Sequence, residues 1–455
     1  MEIVIAELKR STPAGEGHAV RDSGAAPPKS RDLASRESLD SRFYAGPSAW
    51  LRVGSEGRLF HCNSIAWYSG LLEPMVRVLR QAQDGLYSFA ASRLRLTMRN
   101  VFFFFLPTLF ALTLIPIQLY SHTPTPQEGD YTVHNFRFES GETLAEVRMH
   151  YRTLGAPRKD ALGHTTNAVL ILHGTGGTGA TFLRPMFAGV LFGPGQPLDA
   201  SKYFLIIPDN VGHGKSSKPS DGMHAHFPQY NYADMVALQH ELVTKGLGVD
   251  HLRLVMGTSM GCMHSFVWGE TYPEAMDALM PLACLPVQIA GRNRIWRKMV
   301  IDGIRGDPEW KGGEYTAEPR AALEIGADFL IIAGSAPLPM QKDLATREAA
   351  DKYLAEVRER REKGLDANDL LYAVSASRDY DPSGKLGEIR APVMWVNSAD
   401  DFINPPELGI AEREVKKVKR GKFVLIPASE ETHGHGTHTW AVFWERYLRE
   451  LMEEK

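Results

Sequence analysis

Short apolar runs recur along the C-terminal part of the chain. They are Ala168-Val169-Leu170-Ile171-Leu172, Tyr203-Phe204-Leu205-Ile206-Ile207, Leu252-Arg253-Leu254-Val255-Met256, Ala391-Pro392-Val393-Met394-Trp395-Val396-Asn397 and Phe423-Val424-Leu425-Ile426-Pro427. None alternates strictly between polar and apolar, so both faces of each strand are expected to be buried, as in a mostly parallel sheet. Between them lie amphipathic stretches such as Ala233 to Thr244, with Met235, Leu238, Glu241 and Leu242 at helical spacing. Strand and helix in alternation predict βαβ units, with helices covering the sheet on both sides. Ahead of them, Tyr131 to Phe138 and Val147 to Arg152 do alternate. That pattern predicts an antiparallel pair at the sheet edge, turned at Gly141.

Residues 285–378 interrupt the alternation. Asn293 to Arg305, Pro319 to Ile325, Leu344 to Lys363 and Asp369 to Ser377 read as helices, charged and methionine-bearing. They are expected to form a helical cap. The mixed-sign run Arg358-Glu359-Arg360-Arg361-Glu362-Lys363 reads as a solvated helix face rather than a nucleic-acid patch. The net charge of −3 argues against a polyanion partner in the same way.

The chemistry begins at Gly257-Thr258-Ser259-Met260-Gly261, which follows one apolar run and leads into Met263-His264-Ser265-Phe266-Val267-Trp268. Gly-x-Ser-x-Gly between a strand and a helix is the setting of a nucleophile elbow. The turn is so sharp that a β-carbon at either flanking glycine would clash, and the serine is held strained with its hydroxyl presented. A serine hydroxyl needs a base, and the base needs an orienting carboxylate, in the chain order Ser, Asp, His. The run at 391–397 is followed by Ser398-Ala399-Asp400-Asp401-Phe402-Ile403-Asn404-Pro405. Asp401 is the expected acid, from its Asp-x-Ile-x-Pro spacing; Asp400 is the alternative. After the last apolar run come His433, His435 and His438. His435, flanked by glycines, is the expected base and His438 the runner-up. Their spacing does not suit a metal site, and no cysteine or carboxylate cluster accompanies them. No cofactor is expected.

An oxyanion hole requires two backbone N–H donors. Met260, after the nucleophile, supplies one. Thr175, in His173-Gly174-Thr175-Gly176-Gly177-Thr178-Gly179 after the first parallel strand, is the expected second. This glycine-rich loop has neither the Gly-x-Gly-x-x-Gly nor the Lys-Ser/Thr ending that phosphate binding demands. Asp209-Asn210-Val211-Gly212-His213-Gly214-Lys215-Ser216 reads as a structural turn beside the site, with His213 a loop hydrogen bonder.

Longer stretches carry a resemblance. Asp307-Pro308-Glu309-Trp310-Lys311-Gly312-Gly313-Glu314-Tyr315, Asp366-Ala367-Asn368-Asp369-Leu370-Leu371-Tyr372, Phe138-Glu139-Ser140-Gly141-Glu142-Thr143-Leu144 and Tyr151-Arg152-Thr153-Leu154-Gly155 resemble the homoserine O-acetyltransferase family of the α/β-hydrolase superfamily. The resemblance covers about 128–452 and implies an α/β-hydrolase fold with a helical cap at about 285–378, between nucleophile and acid. It also implies acyl transfer through an acyl-enzyme and, from the habit of relatives, a homodimer formed through the cap. Members that acylate homoserine hold the substrate carboxylate with a cap arginine, where this chain has Ile301, although Arg297 and Arg305 lie nearby. They hold its amine with an aspartate directly after the catalytic histidine, where this chain has Gly436. Each lost charge-assisted contact is worth about 1.5–3 kcal/mol, so homoserine is not the expected acceptor. The leading expectation is hydrolysis of a small-molecule carboxylic ester. An O-acyltransferase using acetyl-CoA is the second, and a non-catalytic binding protein on the same scaffold the third.

Residues 1–97 show no sustained periodicity and read as disordered or as an upstream extension that is not translated. Residues 98–121 begin Met98-Arg99-Asn100-Val101-Phe102-Phe103-Phe104-Phe105 and continue apolar to Tyr120, with Arg93 and Arg95 ahead. Basic residues before an uninterrupted apolar run read as a signal peptide starting at Met98, or else as a membrane anchor or a buried segment. Export or membrane anchoring is the expected localisation, and the cytoplasm if that segment is not a signal. The cysteines Cys62, Cys262 and Cys284 do not make a disulfide framework; the latter two are expected to be buried thiols.

Overall fold

The computed structural model describes residues 125–454. The extension 1–97, the apolar segment 98–121 and Cys62 lie outside them. Eight strands form one sheet: β1 (Gln127–Arg137), β2 (Thr143–Leu154), β3 (Ala168–Leu172), β4 (Phe204–Pro208), β5 (Leu254–Thr258), β6 (Leu279–Leu282), β7 (Val393–Ser398) and β8 (Gly421–Ile426). Their spatial order is β1-β2-β4-β3-β5-β6-β7-β8. β1 and β2 are antiparallel, β2 meets β4 antiparallel, and every pairing from β4 across to β8 is parallel. Gly141, at φ +93°, turns the first hairpin in the left-handed region where a side chain is disfavoured.

The parallel strands are buried along their whole length from β3 to β7, and for that reason they read as unbroken apolar runs. Alternate residues serve two cores. Leu170, Leu172, Val255 and Trp395 pack on one face, while Val169, Ile171, Leu254, Met256 and Met394 pack on the other. Helix α1 (Tyr232–Glu241) and helix α2 (Met260–Thr271) cover the first face. Asn231 caps α1, accepting from the Asp234 N–H at 2.9 Å while the Asp234 carboxylate accepts from the Asn231 N–H. The C-terminal helix α8 (Glu445–Glu453) seals the second face through Leu448 and Leu451.

Between β6 and β7 the chain builds α3 (Gly291–Gly306), α4 (Arg320–Ala333), α5 (Pro337–Asp343), α6 (Arg347–Glu362) and α7 (Ala367–Ser375). Trp296, Val300, Ile301, Ile304, Leu323, Leu370 and Leu371 make a third apolar core among them. Two stretches of the family resemblance hold this layer together. Trp310 Nε1 donates to Asn368 Oδ1 at 2.9 Å, and the Asn368 amide donates to the Gly313 carbonyl at 2.9 Å. Asp369 Oδ1 accepts from the Ser220 N–H at 2.9 Å and thereby fastens α7 to the sheet domain. Helix α4 runs eight residues beyond its expected end at Ile325, since Leu330 and Ile331 continue its apolar stripe. Helix α5 was not among the expected helices; its Pro337 and Pro339 fall in the first turn, where proline costs no hydrogen bond.

The cysteine expectation is corrected. Cys262, in the first turn of α2, and Cys284, two residues past β6, form a disulfide. Both are fully buried. Their 22-residue separation gives no sequence signal; the parallel pairing of β5 with β6 brings them together. Closing a loop of that length contributes about 3 kcal/mol. No single helix among the described residues is long and apolar enough to cross a membrane.

Candidate active site

Ser259 sits between β5 and α2 with φ +55° and ψ −111°, a conformation that a non-glycine residue adopts only when its surroundings enforce it. The enforcement is visible at the glycines. A β-carbon on Gly257 would stand 2.1 Å from the Gly261 carbonyl oxygen, and one on Gly261 would stand 2.0 Å from the Leu172 carbonyl oxygen. Neither approach is possible with a side chain, so helix and strands close up only through these two residues. The Ser259 N–H donates to the Leu282 carbonyl at 2.8 Å, tying the turn to β6.

The structure brings the three expected side chains together. His435 Nε2 lies 2.8 Å from Ser259 Oγ, and His435 Nδ1 lies 2.8 Å from Asp401 Oδ2. Asp401 is buried, which by itself would raise its carboxyl. Its contacts with His435 and the donors of Asn404 outweigh that and hold it below the ordinary value. Its oxygens accept from the Ile403 N–H at 2.7 Å, the Asn404 N–H at 3.1 Å and Asn404 Nδ2 at 2.9 Å. An ionised Asp401 accepting Nδ1–H leaves the Nε2 lone pair facing the serine hydroxyl.

The two runners-up have other places. Asp400 Oδ2 accepts from Thr432 Oγ1 at 2.7 Å and from the Gly434 N–H at 3.2 Å, so it steadies the loop that carries His435. His438 packs edge-on to His435, with ring centroids 5.1 Å apart. Burial, followed by the neighbouring His435, pulls its pKa down to about 3, and it stays neutral.

The loop after β3 lies against the nucleophile: a β-carbon on Gly174 would be 3.1 Å from Ser259 Cβ. The Gly174 carbonyl accepts from the Gly177 N–H at 3.0 Å and faces His173 Nδ1 at 2.9 Å. His173 Nε2 accepts from the Asn210 N–H at 3.0 Å, so Nδ1 carries the proton and donates. Burial is the main cause that lowers His173 to about 3 and keeps it neutral. A trans peptide points its C=O and N–H in opposite directions. Fixing the Gly174 carbonyl therefore turns the Thr175 N–H away from these partners. His213 Nε2 stands 3.1 Å from the Thr175 carbonyl. His213 also faces the Val211 carbonyl at 3.1 Å. Its ring is neutral through burial and can donate to only one of the two. The Asp209 turn is structural, as expected: Asp209 Oδ1 accepts from Arg152 at 2.8 Å and from the Gly179 N–H at 2.7 Å. Met260 is the first residue of α2, where helical N–H groups have no intrahelical acceptor.

Of the two arginines near position 301, one is buried. Ile301 is buried in the cap core, but Arg297, one helical turn earlier, is only 3% exposed. Arg297 donates to Asn293 Oδ1 at 3.0 Å and to Ser377 Oγ at 3.2 Å, and stacks on Trp296. It forms no ion pair among the described residues, and burial lowers its pKa from the ordinary value. The Tyr232 hydroxyl, also buried, lies within range of Arg297, Ser377 and Thr175. Neither that hydroxyl nor Thr175 Oγ1 completes a hydrogen bond of good geometry. The signal available was the phase of α3: positions 297 and 301 share one face at i, i+4 spacing.

The fold has known counterparts. The alpha/beta hydrolase fold family matches residues 167–430. A probable acyltransferase from Methanothermobacter thermautotrophicus is 31% identical over 281 residues, covering 61% of this chain and 84% of that protein. A homoserine O-acetyltransferase from Moorella thermoacetica is 30% identical over 309 residues, covering 59% and 80%. The crystal structure of the acetyl esterase MekB superposes with a TM-score of 0.63 at 23% identity, covering 72% of this chain and 97% of that one. The chain belongs to the α/β-hydrolase fold family and is an enzyme of that family. Within it, the chain belongs to the homoserine O-acetyltransferase-like branch, to which its acyltransferase relatives belong.

Proposed function

We propose that the protein hydrolyses a small carboxylic ester through an acyl-enzyme on Ser259. The observation that carries this reading is the continuous hydrogen-bonded line from Asp401 through His435 to Ser259 Oγ, at 2.8 Å on each side of the imidazole. Ser259 Oγ attacks the ester carbonyl as His435 Nε2 takes its proton. Negative charge collects on the carbonyl oxygen, which the N–H groups of Met260 and Thr175 receive. The C–O bond to the alcohol breaks, and His435 returns the proton to the departing oxygen. Water, deprotonated by His435, then attacks the acyl carbonyl and regenerates Ser259. Asp401 keeps its charge throughout and stabilises the imidazolium.

Hydrolysis is favoured over transfer to homoserine because position 436 offers no carboxylate for an amine. Arg297 modifies the sequence argument on the other charge. A buried guanidinium without an acid partner favours a substrate that carries an anionic group, with Tyr232 and Ser377 beside it. Transfer to an alcohol acceptor is the second reading, supported by the names of the relatives in this branch.

The experiment is an acyl-partition assay. The enzyme is given p-nitrophenyl acetate in water, with and without homoserine or a carboxylate-bearing alcohol, and the products are separated. Acetate as the main product in every case supports hydrolysis. O-Acetylhomoserine as the main product establishes the transferase instead.

A further inference from the structure

The disulfide stands at the junction between the nucleophile and the acid. Cys262 is three residues after Ser259, on the turn of α2 whose Met263 N–H donates to the Ser259 carbonyl at 3.1 Å. Cys284 directly follows Ala283, whose backbone is held at φ +64°, another left-handed conformation on a residue with a side chain. The Ala283 N–H donates to the Val396 carbonyl at 2.9 Å, and the Ala283 carbonyl accepts from Asn404 Nδ2 at 3.1 Å. That same amide nitrogen donates to Asp401 Oδ2. Cys284 is held from the other side: its carbonyl accepts from Trp395 Nε1 and Asn397 Nδ2, each at 3.1 Å. The S–S bond is therefore the covalent member of a short path running from Ser259 through α2, Cys262, Cys284, Ala283 and Asn404 to Asp401.

We propose that the Cys262–Cys284 bond is a positioning staple for the catalytic centre, holding the serine elbow and the Asp401 loop at their working separation. The inference rests on the serine reading above. The bond forms by exchange with a disulfide-type oxidant: the two thiols lose two electrons and two protons, and the oxidant leaves as a dithiol. Both sulfurs are fully buried, so a reductant reaches them only when the fold opens. The staple is thus constitutive in the folded enzyme, and its formation belongs to folding.

The test compares three forms of the whole chain. They are the enzyme as isolated, the same enzyme unfolded and refolded in excess dithiol, and that enzyme after re-oxidation; a Cys262→Ala/Cys284→Ala variant stands beside them. Alkylation of denatured, unreduced protein followed by mass analysis establishes whether the bond is present. The readouts are kcat and KM on p-nitrophenyl acetate and the labelling rate of Ser259 by a serine-reactive fluorophosphonate. Removing the bond should lower kcat and the labelling rate about tenfold, the size of a small misplacement of reacting groups, with KM little changed. Re-oxidation should restore both in the native chain and neither in the double variant. Equal kcat and labelling with and without the bond, alongside a lower melting temperature, would overturn the proposal by showing a purely structural bond. Alkylatable Cys262 and Cys284 in the isolated enzyme would overturn it too. Absence of labelling in every form would bring down the serine reading itself and the staple with it.

Discussion

The Ala283 carbonyl accepts from Asn404 Nδ2 at 3.1 Å, joining the end of the strand beside Ser259 to the loop that presents Asp401. Asn404 spends its other contact on Asp401 Oδ2 at 2.9 Å. Replacing Asn404 with Ala removes both, and leaves Asp401 buried with one donor fewer. Asn404→Ala should therefore lower kcat about tenfold to a hundredfold with KM nearly constant. Steady-state kinetics on one ester checks this; a change confined to KM would assign Asn404 to substrate binding instead.

His435 and His438 are separated by their surroundings. Only His435 touches Ser259; His438 is buried behind it and neutral. His435→Ala should lose about 10⁴-fold or more in kcat, as a removed general base does. His438→Phe should retain most of the activity, because its contact with His435 is one of packing. Rate constants for the two variants check the assignment, and the reverse ranking would exchange the two roles.

Arg297 invites a charge test. Arg297→Met keeps the length of the stem and removes the guanidinium. Against a matched pair of esters, one with a carboxylate and one neutral, the variant should lose about tenfold to a hundredfold in kcat/KM on the anionic ester alone. An equal loss on both would mean that Arg297 serves cap stability rather than substrate choice.

The elbow glycines differ from their neighbours in the oxyanion loop. Gly261→Ala drives a methyl group into the Leu172 carbonyl and should cost about 3 kcal/mol or more, if the protein folds at all. Gly176 has nothing within 4 Å of its would-be β-carbon, so Gly176→Ala should change stability by less than about 1 kcal/mol. Urea unfolding of the two variants measures the contrast.

Two buried histidines resist protonation in the fold. His173 and His438 are held near 3 in the fold, against 6.5 when free. At these two rings the unfolded chain therefore binds more protons than the folded one between those values, and their contribution to stability falls as the pH drops below 6.5. At pH 5 each contributes a loss of about 2 kcal/mol relative to neutral pH. Glu270 and Glu318 act in the opposite sense, since burial raises both carboxyls to about 7 and the folded chain binds their protons first as the pH falls; His164 and His251, raised by Asp250 and Asp277, do the same more weakly because those pairs are solvated. An NMR titration of the folded protein checks the assignment at the groups themselves: the His173 and His438 rings should stay neutral down to pH 5, and protonation of either near pH 6 would contradict it.

Much of this was legible in the chain. Strands buried on both faces wrote themselves as apolar runs, with ends misplaced by a residue or two. Ser259 was marked by its glycines, and Asp401 by the spacing of Ile403 and Pro405. What was hidden depends on neighbours far apart in sequence. The disulfide is made by strand pairing. The role of Asp400 at Gly434 depends on two loops meeting, and Arg297 matters through the phase and burial of a cap helix. Helix α5 spans only seven residues, too short to show a helical apolar period.

The central claim is the acyl-enzyme on Ser259, and trapping it is the direct measurement. The enzyme is mixed with p-nitrophenyl acetate, quenched in acid, digested and reduced to free Cys262 from Cys284, and the peptide spanning Met256 to His264 is weighed. The account predicts a single acetyl group on Ser259 in the native chain and none in Ser259→Ala, which should also release no p-nitrophenol above background. Turnover at the native rate in Ser259→Ala, or an acetyl group on another residue of the working enzyme, would contradict it.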